Sequence, residues 1–363
     1  MVIKTEENNR NNENRLEAKK RIVYFDILNI IAIIAVIAMH CNGIVHSNPN
    51  VRAWNSSLIV DCICYFAVPI FCMLSGANLM KYREKYDTKT FFKKRVLKVL
   101  IPFVFWAIFM FVWKIVTKQM SMEQFVNIKD WINAFFNNKE EATYYFMFEI
   151  LGIYLTMPLL SLLAKEENRK TLWLTVLLFF VLNSLIPNIL GLAGIQYNNS
   201  LSVRIGGYII FVLLGYLLST QDIEKKYRIL IYIGAIIGLI YRYITTFILS
   251  KNAGQVVKTT WGGYSSWHSI LLACSVFLII KNLNVEKILQ GKAKTVKVIT
   301  KVSSCSFGIY LIHKIVMHYE TTLLNISTYS WQWRTIGAIT TYSISLLIVY
   351  IFKKIPILKK IVP

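Results

Sequence analysis

The sequence predicts an all-α integral membrane protein with about ten transmembrane helices. Hydrophobic residues make up 55% of the 363 residues, and the mean hydropathy of +0.49 is well above that of soluble domains. Apolar runs long enough to cross a hydrocarbon core of about 30 Å recur along the chain. The excess of positive charge, +22, lies between these runs and forms no soluble basic face, so no nucleic-acid partner is expected.

The predicted organisation has three parts. Residues 1–20 are charged and Asn-rich and are expected to form a disordered cytoplasmic tail. Residues 21–354 form the transmembrane domain, and residues 355–363 form a basic cytoplasmic tail. The approximate spans are 22–41, 57–80, 99–117, 143–164, 171–190, 203–219, 229–250, 264–280, 303–319 and 335–352.

The distribution of basic residues predicts that both termini are cytoplasmic. With the N-terminus inside, the inner segments carry 30 Lys and Arg residues and the outer segments carry 7. Cytoplasmic loops of membrane proteins carry such an excess of positive charge. No cleavable signal peptide is expected, since no small-residue cleavage site follows the first apolar run.

The first span carries a polar stripe. Asn29 and His40 are eleven residues apart, which puts them about 20° apart around a helix and about 16 Å apart along it. Asp26 falls within about 40° of His40 on the same face. Ionisable groups in a membrane usually face a bundle interior or a wet cavity, so this stripe predicts one wall of a site.

Each member of the stripe has two interpretations. His40 either forms a hydrogen bond to a neighbouring helix or acts as a general base or nucleophile. The second role is plausible chemistry because a histidine titrates near neutral pH. Asp26 and Asn29 are either functional groups or polar groups that pack between helices, and Asp26 could also pair with basic residues at the membrane face. A metal site is not expected, because no pair of Cys or His residues has zinc-like spacing.

The second and third spans add candidates for ligand binding. Pro69 predicts a kink in the second span, and Ser75 with Gly76 permits either close helix packing or a site. Arg95 and Lys98 enter the third span at positions i and i+3. Both can therefore face one anionic group, such as the phosphates of a cytosolic donor, although generic positive-inside charge explains most of their neighbours.

Three further features complete the set. Glu149 in the fourth span is either a functional carboxylate or the buried partner of a basic residue. The ninth span places Ser306, Tyr310 and His313 on a second polar stripe. The outer segment 118–142 repeats apolar residues at helical spacing, which predicts an interfacial helix or a lid.

These stretches, taken in order, resemble the membrane acyltransferase-3 family. DILNIIAIIAVIAMH (26–40) is similar to its opening motif, which ends in histidine, PIFCMLSG to its Ser-Gly element, and FFKKRVLKVLIPFVFW to its basic segment. MFEILGIYLTMPLL, GGYIIFVLLGYLL and SFGIYLIH resemble later spans of the family. Asn29 and Lys98 stand where many members have Arg. No P-loop, dinucleotide-binding or zinc-protease motif is present.

The resemblance implies an O-acyltransferase of the bacterial cell membrane. It would move an acetyl group from acetyl-CoA to a hydroxyl of a cell-envelope glycan or lipid-linked sugar. His40 would be the central catalytic residue, assisted by Asp26 and Glu149. The donor would be bound on the cytoplasmic side by residues of the first, second, third and ninth spans: Asn29, Ser75, Arg95, Lys98, Tyr310 and His313.

Two other functions remain open at this point. The polar stripes could line the path of an exporter or flippase for a polysaccharide or lipid-linked sugar, although no inverted repeat is evident. The Asn29 and Lys98 departures would also suit a sensor that has the family fold without the chemistry. The bilayer is an expected partner in every case, and the oligomeric state is left open.

Overall fold

The computed structural model describes residues 22–257 and 263–363, so the predicted tail 1–20 lies outside the described residues. Every regular element in these ranges is helical, which confirms the predicted all-α class. The α-helices are α1 (Val23–Cys41), α2 (Arg52–Cys64), α3 (Ala67–Leu79), α4 (Thr88–Arg95), α5 (Ile101–Val116), α6 (Ile128–Phe136), α7 (Tyr145–Leu162), α8 (Arg169–Phe179), α9 (Ile186–Leu192), α10 (Ile209–Thr220), α11 (Lys225–Ala253), α12 (Trp267–Asn282), α13 (Val285–Ile288), α14 (Ala293–Ser303), α15 (Ser306–Leu323) and α16 (Ala338–Phe352).

The chain is a multi-pass membrane protein by the length and composition of its helices. Within the described ranges, eight helical segments are long and apolar enough to cross a membrane, or nine if α14 and α15 together form one bent span. The remaining predicted span, the sixth (203–219), corresponds to α10, which has only 12 residues. It begins at Ile209 and not at 203, because the Asn183 side chain holds the backbone of Val203 through two hydrogen bonds.

Three breaks interrupt the helices of the bundle. The second span is interrupted at Tyr65–Phe66, directly before the turn that contains Pro69, whose ring crowds the carbonyl four residues earlier. Between α4 and α5 the backbone forms a π-helical segment, Val96–Leu100, a feature that is frequent at functional sites. The α14–α15 pair is bent by 55°.

The C-terminal segment packs against the bundle. The Trp106 indole N–H donates to the Ile361 carbonyl at 2.9 Å. Val362 is fully buried and lies against Gly308 of α15. The segment predicted as a basic tail therefore forms part of the wall at this end of the protein.

A buried ion pair joins α2 to α11. The Arg242 guanidinium lies 2.6 Å from the Asp61 carboxylate, and both side chains are almost fully buried. The guanidinium also stacks over the Tyr65 ring, 3.3 Å from its centroid. Removal of one partner would leave a buried charge uncompensated, so this pair fixes the contact between these two helices.

Helices α3 and α10 approach each other through two glycines. A Cβ atom added at Gly76 would lie 1.9 Å from the Val212 carbonyl oxygen, and one added at Gly215 would lie 1.9 Å from the Met73 carbonyl oxygen. Small residues at such crossings let helix backbones pack closely in a membrane. This contact sets the position of Ser75, which lies beside it on α3.

Gly215→Ala is expected to separate α3 from α10 and to lower stability by about 1–3 kcal/mol, the usual cost of overpacking. Thermal unfolding of the purified protein in detergent measures the effect. Gly152→Ala is the matched control, because nothing lies within 4 Å of an added Cβ at this helical position. An equal loss of stability in both variants would contradict the close-contact interpretation.

Candidate active site

Two cavities lie at opposite ends of α1. The larger one, which we call the inner cavity, has a volume of about 890 Å³ and lies at the start of α1, at the end predicted to face the cytoplasm. Its size is within the usual range for small-molecule sites. Six of the nine predicted site residues line it: Asp26, Asn29, Ser75, Arg95, Lys98 and Tyr310.

The smaller cavity, which we call the outer cavity, has a volume of about 410 Å³ and lies at the end of α1. His40 lines it. Most of the polar and aromatic residues of its wall come from α5, from α15 and from the segments that follow these two helices. They include Trp113, Lys114, Gln119, Glu141, Lys314, His318, Tyr329 and Trp333.

The wall between the two cavities is thin. Tyr310 lines the inner cavity and Lys314 lines the outer cavity, and both belong to α15. Four residues of α-helix correspond to about 6 Å along the axis. The two cavities therefore approach each other to within about one helical turn.

A pair of histidines lies in this wall. The His313 and His40 rings are stacked, with centroids 5.2 Å apart and planes inclined by 26°. His313 is fully buried, and its Nδ1 lies 2.7 Å from the Tyr310 carbonyl oxygen. A carbonyl oxygen only accepts, so Nδ1 carries the proton and Nε2 of the neutral ring keeps its lone pair. His313 Nε2 is buried without a hydrogen-bond partner.

The inner cavity carries positive charge on the π-helical segment and the turn before it. Arg95 stacks near the Tyr154 ring, 5.4 Å from its centroid, and its Nε atom is buried without a hydrogen-bond partner. Among the described residues, no carboxylate lies within 4.0 Å of Arg95 or Lys98. The buried Ser306 hydroxyl on the same cavity wall also lacks a partner. These groups can bind an anionic, hydrogen-bonding ligand.

Polar groups of α1 hold the bend between α14 and α15. The Asn29 amide donates to the carbonyl and hydroxyl oxygens of Ser303, at 3.0 and 3.1 Å. The Thr300 hydroxyl donates to Asp26 at 3.1 Å. Asp26 lies fourteen residues before His40, about 21 Å along the helix, so the two side chains act at different ends of the site.

The structure does not bring all the predicted residues together. Glu149 lines neither cavity and lies on the half-buried face of α7. The amphipathic helix α6 also lines neither cavity. Its Trp131 packs in a small aromatic cluster with Phe111 and Phe125, whereas Ile128 is 74% exposed, which favours an interfacial helix over a lid.

Sequence reasoning missed the charged group of the outer cavity. Lys114 lies 3.3 Å from Glu141 in an ion pair that is mostly buried. Burial opposes ionisation of Glu141, but the ammonium groups of Lys314 and Lys114 hold the pKa of this carboxyl below its ordinary value. The only sequence feature that points to this charged group is that Lys114 and Lys314 are cations inside apolar spans.

Glu140 lies beside this ion pair and is fully buried. Burial raises the pKa of Glu140 to about 7, and the Glu141 carboxylate adds a smaller increase that Lys114 opposes. The folded protein therefore holds a proton on Glu140 at pH values where the unfolded chain has released it.

This difference predicts that Glu140 makes stability fall as pH rises between 4.5, its ordinary pKa, and about 7. Glu140→Gln is expected to flatten the fall, since an amide keeps the neutral form at every pH. Melting temperatures across this interval, compared among the native protein, Glu140→Gln and the exposed-site control Glu123→Gln, measure the effect. Identical pH profiles for the native protein and Glu140→Gln would refute the assignment.

The helical bundle with polar cavities reaching into it defines a multi-pass membrane protein with room for small molecules inside it. The family model of the acyltransferase-3 family, described as an acyltransferase domain, matches residues 22–350. The chain therefore belongs to this family and is a membrane acyltransferase, as the resemblance implied. Searches of curated proteins and of solved structures found no significant match to the chain.

Proposed function

We propose that the protein transfers an acetyl group from acetyl-CoA to a hydroxyl of a cell-envelope glycan or lipid-linked sugar, across the bacterial cytoplasmic membrane. One observation carries the proposal: two cavities from opposite ends of the bundle approach each other to within about one helical turn at the part of α15 where His313 stacks on His40. Only the acceptor hydroxyl and the thioester would have to come into contact at this wall, whereas the rest of the donor and the rest of the acceptor would remain on their own sides.

The inner cavity is the proposed donor site. Arg95 and Lys98 would bind phosphates of acetyl-CoA, since neither has an ion pair among the described residues. The pantetheine arm would run along α1 and α15 toward Tyr310, whose ring lies 5.9 Å from that of His313. Asn29 and Ser75 line this route. Asn29 also keeps the α14–α15 bend in place through its bonds to Ser303.

The outer cavity is the proposed acceptor site. His40, which lines it, would act as general base and take the proton of the acceptor hydroxyl. The hydroxyl oxygen then attacks the thioester carbonyl, a C–O bond forms, and the C–S bond breaks. The thiolate of CoA leaves and takes up a proton, and His40 releases the proton that it accepted, so that one thioester and one hydroxyl give one ester and one thiol. His313 would hold the His40 ring in position through stacking.

His40→Ala is expected to lower acetyl transfer by about 10²–10⁴-fold, the usual contribution of a general base. Mass spectrometry of envelope glycans from cells with this variant would show loss of the acetyl group, and purified protein would show loss of acceptor-dependent thiol release from acetyl-CoA. The matched control is His46→Ala, because His46 is exposed and lines neither cavity. Full acetylation by His40→Ala would overturn the role of His40.

Arg95→Gln is expected to raise the KM for acetyl-CoA about ten- to a hundredfold, because hydrogen bonds to charged groups contribute about 1.5–3 kcal/mol. The kcat should change much less, since the contact is remote from the reacting carbonyl. Lys93→Gln is the control, because Lys93 is exposed on the same helix and does not line the cavity. An unchanged KM in Arg95→Gln would contradict donor binding in the inner cavity.

A further inference from the structure

We infer that the outer cavity is built for an acidic sugar, one that carries a carboxylate such as a hexuronic acid. This inference rests on the proposed function, because it names the class of acceptor for the same site. The inference is based on the charges and side chains of the cavity wall. The proposed reaction does not itself require these charges.

The first argument is an imbalance of charge. The cavity wall contains two ammonium groups, Lys114 and Lys314, and one carboxylate, Glu141. Lys114 is paired with Glu141 at 3.3 Å. Among the described residues, no carboxylate lies within 4.0 Å of Lys314. One positive charge of the wall is therefore left without an ion pair.

The other nearby carboxyl groups do not compensate this charge. Glu320 accepts a hydrogen bond from Thr341 of α16, lies more than 4.0 Å from Lys314 and does not line the cavity. Glu140 does not line it either, and burial keeps its proton on up to a pKa of about 7. Lys114 and Lys314 therefore share a single carboxylate of the wall, Glu141, and only Lys114 lies within ion-pair distance of it.

The second argument is the position of this charge. Lys314 is half-buried in α15, inside a membrane-spanning segment, where an uncompensated ammonium group is costly. An acceptor carboxylate in the cavity would supply the missing partner. Because one cation is unpaired, a group with a single negative charge matches it better than a phosphate monoester, which carries about −1.5 to −2 at pH 7.

The third argument is the set of aromatic and polar side chains that line the cavity with Lys314. Trp113 of α5 lines this cavity together with Tyr329 and Trp333 of the segment between α15 and α16. Trp113 is held by a hydrogen bond from its indole N–H to the Tyr319 hydroxyl at 3.2 Å. Aromatic faces offer a surface for the C–H face of a sugar ring, while Gln119 and Ser47 offer partners for its hydroxyls.

A binding experiment tests the inference without the acyl donor. The full chain in nanodiscs of uncharged lipid is titrated with trigalacturonic acid and with the same trisaccharide after reduction of its carboxyl groups. The native protein is expected to bind the acidic trisaccharide about tenfold more tightly, because a hydrogen-bonded charge contributes about 1.5 kcal/mol or more. Lys314→Gln is expected to remove this preference, and Lys129→Gln, at an exposed site outside the cavity wall, is expected to keep it.

Two results would overturn the inference: no preference for the acidic trisaccharide in the native protein, or a preference that survives in Lys314→Gln. Tighter binding of a phosphorylated galactose than of galacturonic acid would overturn the assignment to a carboxylate. Thiol release from acetyl-CoA, measured on the same preparation, tests the proposed function separately. Selective binding without thiol release would leave the acidic site standing and reject the transferase reaction, and thiol release without selectivity would do the reverse.

Discussion

The hydrogen bonds between Asn29 and the bend at Ser303 are the constraint on which the site depends. A broken helix in hydrocarbon exposes backbone carbonyl groups that lipid cannot satisfy. The Asn29 amide satisfies Ser303, and the Lys353 ammonium group satisfies the Ser304 carbonyl at 2.5 Å. With its start fixed in this way, α15 runs alongside α1, and His313 comes to lie against His40. The polar residues at the inner end of α1 thus contribute to the geometry of the histidine at its outer end.

Much of this arrangement could be predicted because helical periodicity determines which residues share a face. The stripe of Asp26, Asn29 and His40 on the first span and the stripe of Ser306, Tyr310 and His313 on the ninth follow from spacing alone. Arg95 and Lys98 were predicted to face one anionic group, and both line the inner cavity. The predicted all-α membrane class was confirmed, whereas the start of the sixth span was wrong, because a polar side chain distant in sequence holds Val203 outside the helix.

Contacts between helices that are far apart in sequence could not be predicted, since no local pattern says which spans are neighbours. The Asp61–Arg242 pair joins two spans separated by 181 residues, and Lys114, Glu141 and Lys314 meet from three segments. Glu149 illustrates the opposite case. A carboxylate in an apolar span is a reasonable functional candidate. Its position on α7 nevertheless leaves it outside both cavities, so its catalytic role stays a prediction.

The two-cavity geometry favours group transfer over export of a whole sugar. Each cavity opens from its own end of α1, and the fully buried His313 ring lies between them. Passage of a glycan would require the His313–His40 stack and the hydrogen bond of the Tyr310 hydroxyl to the Thr143 carbonyl to separate. Passage of an acyl group requires only that the thioester carbonyl and the acceptor oxygen come within about 3–3.5 Å of each other at a wall about one helical turn thick. In the proposed function, the residues that close the path to a sugar are therefore the ones that would act on the acceptor hydroxyl and the thioester.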